Sequence, residues 1–248
     1  SQHLNVEIGL ALHNARWRGA DYWQVAVEEG LSLDEILARS EVVVAGVDGG
    51  GLDDLYGLCV AGRCKITKDW LYWFHAWCQS DVRDLRKDIA ERLRDFAAAG
   101  DLTLCDYVTQ DAEEIADILH KVHQTGLFPE KEGIGLDPIG VAALVTALAE
   151  KGLAAPLVAA VPQGYRLASA VWGLERKLKD GTMWHAGSTM MNWCVGNAKA
   201  EQRGNAVLIT KESAGRAKID PLIAGFNATK LLEVNPAASG IRTVEIIL

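Results

Sequence analysis

A mixed α/β fold, with a sheet antiparallel along one side and parallel along the other and helices flanking it, is predicted by three features of the chain. The first is a continuous apolar run, Val42-Val43-Val44-Ala45-Gly46-Val47, that ends in Asp48. Such a run suits a strand buried on both faces. The second is a pair of short connections, after which Leu55 to Ala61 and then Trp70 to Trp77 resume as apolar strands. Tight connections in succession make an antiparallel meander. The third is the alternation of strand-like and helix-like segments that follows, the pattern of parallel strands joined by crossover helices.

The individual elements follow from local signals. Residues 1–40 read as helical, with Ser32 and Glu35 forming a capping box at the head of the last piece. Ser80 opens a helix whose apolar positions, Val82, Leu85, Ile89, Leu93 and Phe96, recur near every 3.6 residues. Leu102 to Val108 fits a strand and Asp111 to Gln124 a second amphipathic helix. Ile134-Gly135-Leu136-Asp137 is a short strand ending in a carboxylate, and Pro138 leads a helix through Leu148 to Gly152. Pro156 to Val161 is a strand, Tyr165 to Lys179 a helix, Ala206 to Thr210 a strand or hairpin arm, and Pro221 to Leu232 a final helix. No repeat or Pro/Gly-rich linker divides this order, so a single α/β domain with a helical N-terminal extension is expected.

Composition narrows the class. With 248 residues, 49 % of them hydrophobic and 23 % charged, the chain can bury a substantial core, which argues against general disorder. No apolar stretch approaches the ~18 residues of a membrane span, and Ser1 to Asn5 lack the basic patch and apolar run of a signal peptide. Cys59, Cys64, Cys78, Cys105 and Cys194 have neither Cys-x-x-Cys nor Cys/His ligand spacing, so small-apolar packing in a reducing compartment is expected. The six histidines likewise lack ligand spacing, and the aromatic run Trp70 to Trp77 reads as core. A net charge of −8 counts, at first sight, against a nucleic-acid partner.

Three carboxylates stand out by position. Asp48 closes the first strand, Asp137 a later one, and Asp220 precedes Pro221 at the head of the last helix. Ligands of mixed α/β sheets collect at the carboxyl ends of strands, so Asp48 and Asp137 can share a rim. Clustered carboxylates repel unless a cation lies between them, and oxygen ligands without His or Cys select Mg²⁺ or Mn²⁺. Two such ions, about 3.5–4 Å apart, suit phosphodiester hydrolysis. The plainer alternative is that Asp137-Pro138 and Asp220-Pro221 are helix starts, Asp capping and Pro in the first turn. Asp48 has no such role available, and an unpaired buried carboxylate is costly. Lys211, Arg216 and Lys218 gather before Asp220, either as a solvated basic loop or as a phosphate-contacting one.

Asp48-Gly49-Gly50-Gly51 offers a rival, since it resembles the first phosphate loop of sugar kinases and actin-like ATPases. Leu52-Asp53-Asp54-Leu55 follows, however, in place of hydroxyl and basic residues, and no second Asp-Gly-Gly loop occurs downstream. No Gly-x-x-x-x-Gly-Lys-Ser/Thr loop is present either.

Val161-Pro162-Gln163-Gly164, Leu174-Glu175-Arg176-Lys177-Leu178, Asp180-Gly181, His185, Asn192-Trp193, Asn197, Gly204-Asn205, Lys211 and Lys218-Ile219-Asp220 follow one another in a recognisable order. In this order the chain resembles the C-terminal nuclease domain of the large terminase subunit of tailed bacteriophages. Gly46-Val47-Asp48 with Asp54 resembles that family's first motif, Ile134 to Pro138 its second, and Leu4-Asn5-Val6-Glu7 the stretch joining its motor to its nuclease. Gly49-Gly50-Gly51 departs from the hydroxyl-rich turn usual after the first Asp, and Pro138-Ile139-Gly140 from the aromatic and Asn common after the second.

The resemblance implies an RNase H-like fold and a metal-dependent endonuclease that cuts concatemeric double-stranded viral DNA during genome packaging. It implies Asp48, Asp137 and Asp220 as catalytic residues and as ligands of two Mg²⁺ or Mn²⁺ ions, with Asp54 as an additional ligand. Lys211, Arg216 and Lys218 are the DNA contacts expected. It further implies a motor-derived linker at residues 1–40, the nuclease at 41–235 and a tail at 236–248. The partners implied are the terminase ATPase domain, the small terminase subunit and the portal, with no membrane, in the cytoplasm of an infected bacterium. A sugar-kinase-like ATP-binding protein and a non-catalytic docking module for the portal or packaging subunits are the alternatives.

Overall fold

The computed structural model describes residues 16–49, 51, 54–79, 81–82, 86–211 and 217–240. The apolar run forms β1 (Ser40–Asp48), and the next two form β2 (Leu55–Cys64) and β3 (Trp70–Cys78), paired as an antiparallel meander. Short parallel strands extend both sides: β4 (Leu102–Leu104) and β7 (Met183–His185) on β3, then β5 (Ile134–Leu136) on β1 and β6 (Val158–Ala160) on β5. The order across the seven-stranded sheet is β4-β3-β2-β1-β5-β6 with β7 also on β3, and β1 is central. This is the mixed sheet that the sequence predicts. A separate antiparallel hairpin joins β8 (Ala198–Arg203) to β9 (Ala206–Lys211).

Helices cover both faces. The helices are α1 (Ala20–Trp23), α2 (Leu33–Arg39), α3 (Ala90–Ala98), α4 (Gln110–Gln124), α5 (Ala142–Glu150), α6 (Ala168–Lys179), α7 (Thr189–Asn197) and α8 (Asp220–Leu232). One core places α6, α7 and α8 against residues such as Val44, Cys59 and Phe74; the other places α2, α4 and α5 against Val43, Val47 and Leu58. Alternate residues of β1 thus feed opposite cores, which is why its sequence is apolar without a break. All five cysteines are free and buried in these cores, as their packing role requires.

Several expected elements are shorter than the sequence suggests. Helix in residues 16–40 is confined to α1, which runs into a 3-10 turn at Gln24–Ala26, and α2, whose cap Ser32 accepts the Glu35 N–H at 3.2 Å. Trp17, Trp23 and Ile36 are fully buried, so the described part of this segment packs on the body. Residues 1–15, with Leu4 to Glu7, lie outside the described residues. The helix expected from Ser80 is helical at Asp81 and Val82 and again at Ala90–Ala98, with non-helical residues at 86–89 between them; Ser80 and Leu85 lie outside the described residues. The strand expected to reach Val108 stops at Leu104, because the following residues prepare the next helix: Asp106 N–H donates to Gln110 Oε1 at 2.7 Å and Thr109 Oγ1 to Glu113 at 2.6 Å. Tyr165 belongs to a 3-10 turn, Gly164–Leu167, that precedes α6.

His185 is locked into the sheet margin as a structural residue. Its ring stacks on Trp23 at 3.9 Å, Nδ1 accepts the Gly187 N–H at 3.1 Å, and Nε2 donates to the Trp23 carbonyl at 2.8 Å. Burial pushes its pKa down to about 4. The unfolded chain therefore binds a proton near pH 6.5 that the folded chain refuses until about pH 4, so stability is full above pH 6.5 and declines as pH falls through that window. A loss of about 2 kcal/mol is expected between pH 7 and pH 5 from this group. Tm against pH should fall less steeply in His185→Gln; equal slopes would remove His185 as the cause.

Candidate active site

The two strand-end carboxylates are aligned by register. β1 and β5 run parallel with Val47 opposite Leu136, so Asp48 and Asp137 are the next residues on neighbouring strands. Asp137 N–H donates to the Val47 carbonyl at 3.3 Å. Asp48 is buried, and its carboxyl lies close enough to that of Asp137 for the two to interact. Neither Asp137 nor Asp220 serves as the helix cap that its Asp-Pro sequence permits. Asp137 Oδ1 accepts the Ile139 N–H at 2.9 Å in a local turn, and α5 begins only at Ala142. Asp220 is the first residue of α8, Ile219 stands in the cap position, and no side chain caps the helix. Both carboxylates are thereby left for another role.

Two glycines bring α8 down onto the strands. Gly57 is the cross-strand partner of Asp48. A Cβ on Gly57 would lie 2.6 Å from Pro221 Cα and 3.0 Å from the Asp220 carbonyl carbon. A Cβ on Gly46 would collide with the backbone of Ala224 and Ala228. The missing side chains let the helix backbone rest directly on the sheet and set Asp220 beside Asp48. Asn227, fully buried in α8, fixes the arrangement: its Nδ2 donates to the Val47 carbonyl at 2.9 Å and its Oδ1 accepts from Gln163 Nε2 at 2.9 Å. Sequence reasoning did not select Asn227, Gln163, Gly46 or Gly57 as site residues. The available signals were a polar residue inside the apolar α8 stretch and glycines inside otherwise continuous strands.

The charges are poorly compensated. Asp48 is held well above the ordinary carboxylate range, first by burial and then by the neighbouring charges of Asp220 and Asp137. Asp220 is raised to about 6 by burial and by Asp54, against the opposing pull of Lys218 and Lys211. Asp220 Oδ2 is buried without a hydrogen-bond partner among the described residues. An orphaned carboxylate oxygen costs stability of order 1–3 kcal/mol or more, so its retention points to a ligand.

Asp54 stands one step out. Its carboxylate is paired with the Lys218 ammonium, and Lys211 Nζ lies 3.6 Å from the same oxygen. Lys218 is only 1 % exposed, which differs from the surface DNA contact expected of it: a lysine buried this deeply must be paired, and Asp54 is its partner. Arg216 lies outside the described residues. Asp48 and Asp137 open into a cleft of about 220 Å³, whose walls include Gln163, Leu208, Ile219, Ile223 and Phe226, with Asp220 one residue behind the wall residue Ile219.

The donors fit a hard divalent cation. Asp48, Asp137 and Asp220 supply oxygens alone, which suits Mg²⁺ or Mn²⁺ and not zinc. Among the described residues, no three His, Cys, Asp or Glu side chains are already grouped as the ligands of one ion; Asp48 and Asp137 interact as a pair, with Asp220 near by. A cation there would satisfy the orphaned Asp220 oxygen and relieve the repulsion that raises Asp48.

No family model matches the sequence, and no curated protein matches it by sequence. Solved structures do match. The HK97 bacteriophage large terminase superposes with a TM-score of 0.66 at 17 % identity, over 85 % of this chain and 42 % of that one. This chain thus spans less than half of that protein. The large terminase nuclease from thermophilic phage G20c, with bound magnesium, gives a TM-score of 0.54 at 10 % identity over 88 % of this chain and 97 % of that one. At these identities the likeness is one of fold: the chain has the mixed α/β, RNase H-like fold of large terminase nuclease domains.

Proposed function

We propose that this chain is a metal-dependent endonuclease that cuts double-stranded DNA, and that it is the cutting domain of a viral DNA-packaging machine. The observation that carries the reading is the adjacency of Asp48 and Asp137 at one sheet rim, with Asp220 at the start of α8 near enough to raise the Asp48 pKa and with a buried oxygen that has no partner among the described residues. The fold shared with the HK97 and G20c proteins, and the magnesium bound in the latter, support it. Two divalent ions, when bound, would supply a water activated for attack on phosphorus and a counter-charge for the leaving oxygen.

The protein's own groups do the rest. Asp48, on the central strand between the other two carboxylates, would hold both ions; Asp137 and Asp220 would each complete one. Asn227 and Gln163 keep β1, α8 and the cleft wall in fixed relation, which pre-sets the carboxylates. Lys218 holds Asp54 and tempers the negative potential on Asp220. The kinase-like alternative is less well served. Gly49 has φ +107, and its α-carbon is turned closely onto the Leu55 backbone, which makes it a hairpin-closing residue. A pure docking module would have no use for the orphaned carboxylate.

By the same reading, residues 41–235 carry the nuclease, and an ATPase motor, a small terminase subunit and the portal are its partners in the cytoplasm of an infected host. Among the described residues no helix is long and apolar enough to cross a membrane. The test is nicking of supercoiled plasmid. Wild type should nick with Mn²⁺ and stop on adding EDTA, and Asp220→Asn should not nick while retaining its circular-dichroism spectrum. Full activity of Asp220→Asn, or a folded wild type inert with every divalent ion, would overturn the reading.

A further inference from the structure

The cleft at the carboxylates is lined largely by apolar side chains, and the nearby cations Lys211 and Lys218 are committed to Asp54. A bound phosphodiester needs positive charge beyond the metal ions to hold the strand on either side of the cut. The turn Gly164–Leu167 supplies it. Gly164 and Leu167 line the cleft, and between them Tyr165 and Arg166 point outward. Tyr165 is 61 % exposed, a large aromatic with no packing reason to be there. The Arg166 guanidinium lies over its ring, 5.7 Å from the centroid.

This lip is mechanically tied to the catalytic rim. Gln163, the residue before the turn, donates from Nε2 to the Val161 carbonyl at 3.0 Å and to Asn227 Oδ1 at 2.9 Å, and Asn227 holds the carbonyl of Val47 beside Asp48. Across the cleft, a Cβ on Gly164 would meet Leu208 of β9 at 4.0 Å, so the turn and the hairpin form facing walls. An Arg at this place presents a planar fork suited to phosphate oxygens, and a ring beneath it restricts the guanidinium without neutralising it.

We infer that Arg166 is a DNA-backbone contact on the lip of the cleft, gripping a phosphate that flanks the one to be cut, and that Tyr165 is the positioning residue that holds its guanidinium. The inference rests on the nuclease reading above.

The test is fluorescence anisotropy with a labelled duplex in EDTA, where nothing is cut. Arg166→Ala should raise Kd about 5–10-fold and lower the salt slope by about one. Tyr165→Leu should raise Kd about 2–5-fold, and Tyr165→Phe, which keeps the ring, should bind like wild type. Both side chains are exposed, so Tm should not move, and the nicking defect of Arg166→Ala should be carried by KM. Lys151→Ala, which removes an exposed cation that is paired with Asp117 and does not line the cleft, controls for net charge. Unchanged Kd and salt slope in Arg166→Ala, an equal loss in Lys151→Ala, or a Tyr165→Phe as weak as Tyr165→Leu would overturn the inference while leaving nuclease activity standing. A folded wild type that neither binds nor nicks DNA would overturn both.

Discussion

Asp48→Asn should lose at least about 100-fold in Mn²⁺-dependent nicking, equivalent to ~3 kcal/mol of transition-state stabilisation, while its Tm in EDTA equals or exceeds that of wild type. The two effects have one cause. Asp48 is a buried carboxyl pressed against Asp137 with Asp220 near by, and burial and repulsion both disfavour its charge. Asn has the same shape, carries no charge and can donate to Asp137. Without metal, the substitution therefore removes a destabilising charge; with metal, it removes the central ligand. A core residue retained only for packing would behave the other way round, losing stability and sparing activity. A clear fall in Tm together with intact nicking would reject the assignment of Asp48.

Gly57→Ala should set a damaging methyl group directly against the start of α8, beside Asp220. Its Cβ would stand 2.6 Å from Pro221 Cα and 2.7 Å from Pro221 N, contacts with backbone that no side-chain rotation can relieve. Overpacking of this kind costs about 2–3 kcal/mol, or about 5–10 °C in Tm at this chain length. The helix must lift, and Asp220 lifts with it, so nicking well below Tm should fall about tenfold or more. Gly196→Ala is the matched control: it sits in α7 with open space around its Cβ, so Tm should hold or rise slightly. Equal Tm in both variants would show that α8 does not rest on Gly57 as described.

The central part of the fold was legible because its signals were long and unambiguous. The unbroken run into Asp48 reads as a doubly covered strand, and the two short connections after it fix the meander. The periphery was less legible. β4, β5 and β6 were expected as strands, although each spans three residues and is shorter than the segment expected, whereas β7, too short for a period to show, went unanticipated with α7 and β8. The Asp-Pro pairs misled in the opposite direction. Both have the sequence of a helix cap, yet Asp137 closes a local turn and Asp220 begins α8 without capping it, because each carboxylate is directed to the rim. Lys218 resembled a surface base in a basic loop, and only the three-dimensional arrangement reveals its burial against Asp54. Asn227 and Gln163 were hidden for the same reason: their partners, Val47 and each other, are distant in sequence.

The net charge of −8 takes on a different sense at this rim. Part of that acidity is three carboxylates gathered where divalent ions would reverse the local sign before DNA arrives. The account stands or falls on that gathering, and calorimetric titration of the folded protein with Mn²⁺ at neutral pH measures it directly. Wild type should bind Mn²⁺, and Asp48→Asn and Asp220→Asn should each bind it about tenfold more weakly or worse. Equal Mn²⁺ affinity in all three proteins would contradict a shared metal centre at Asp48, Asp137 and Asp220.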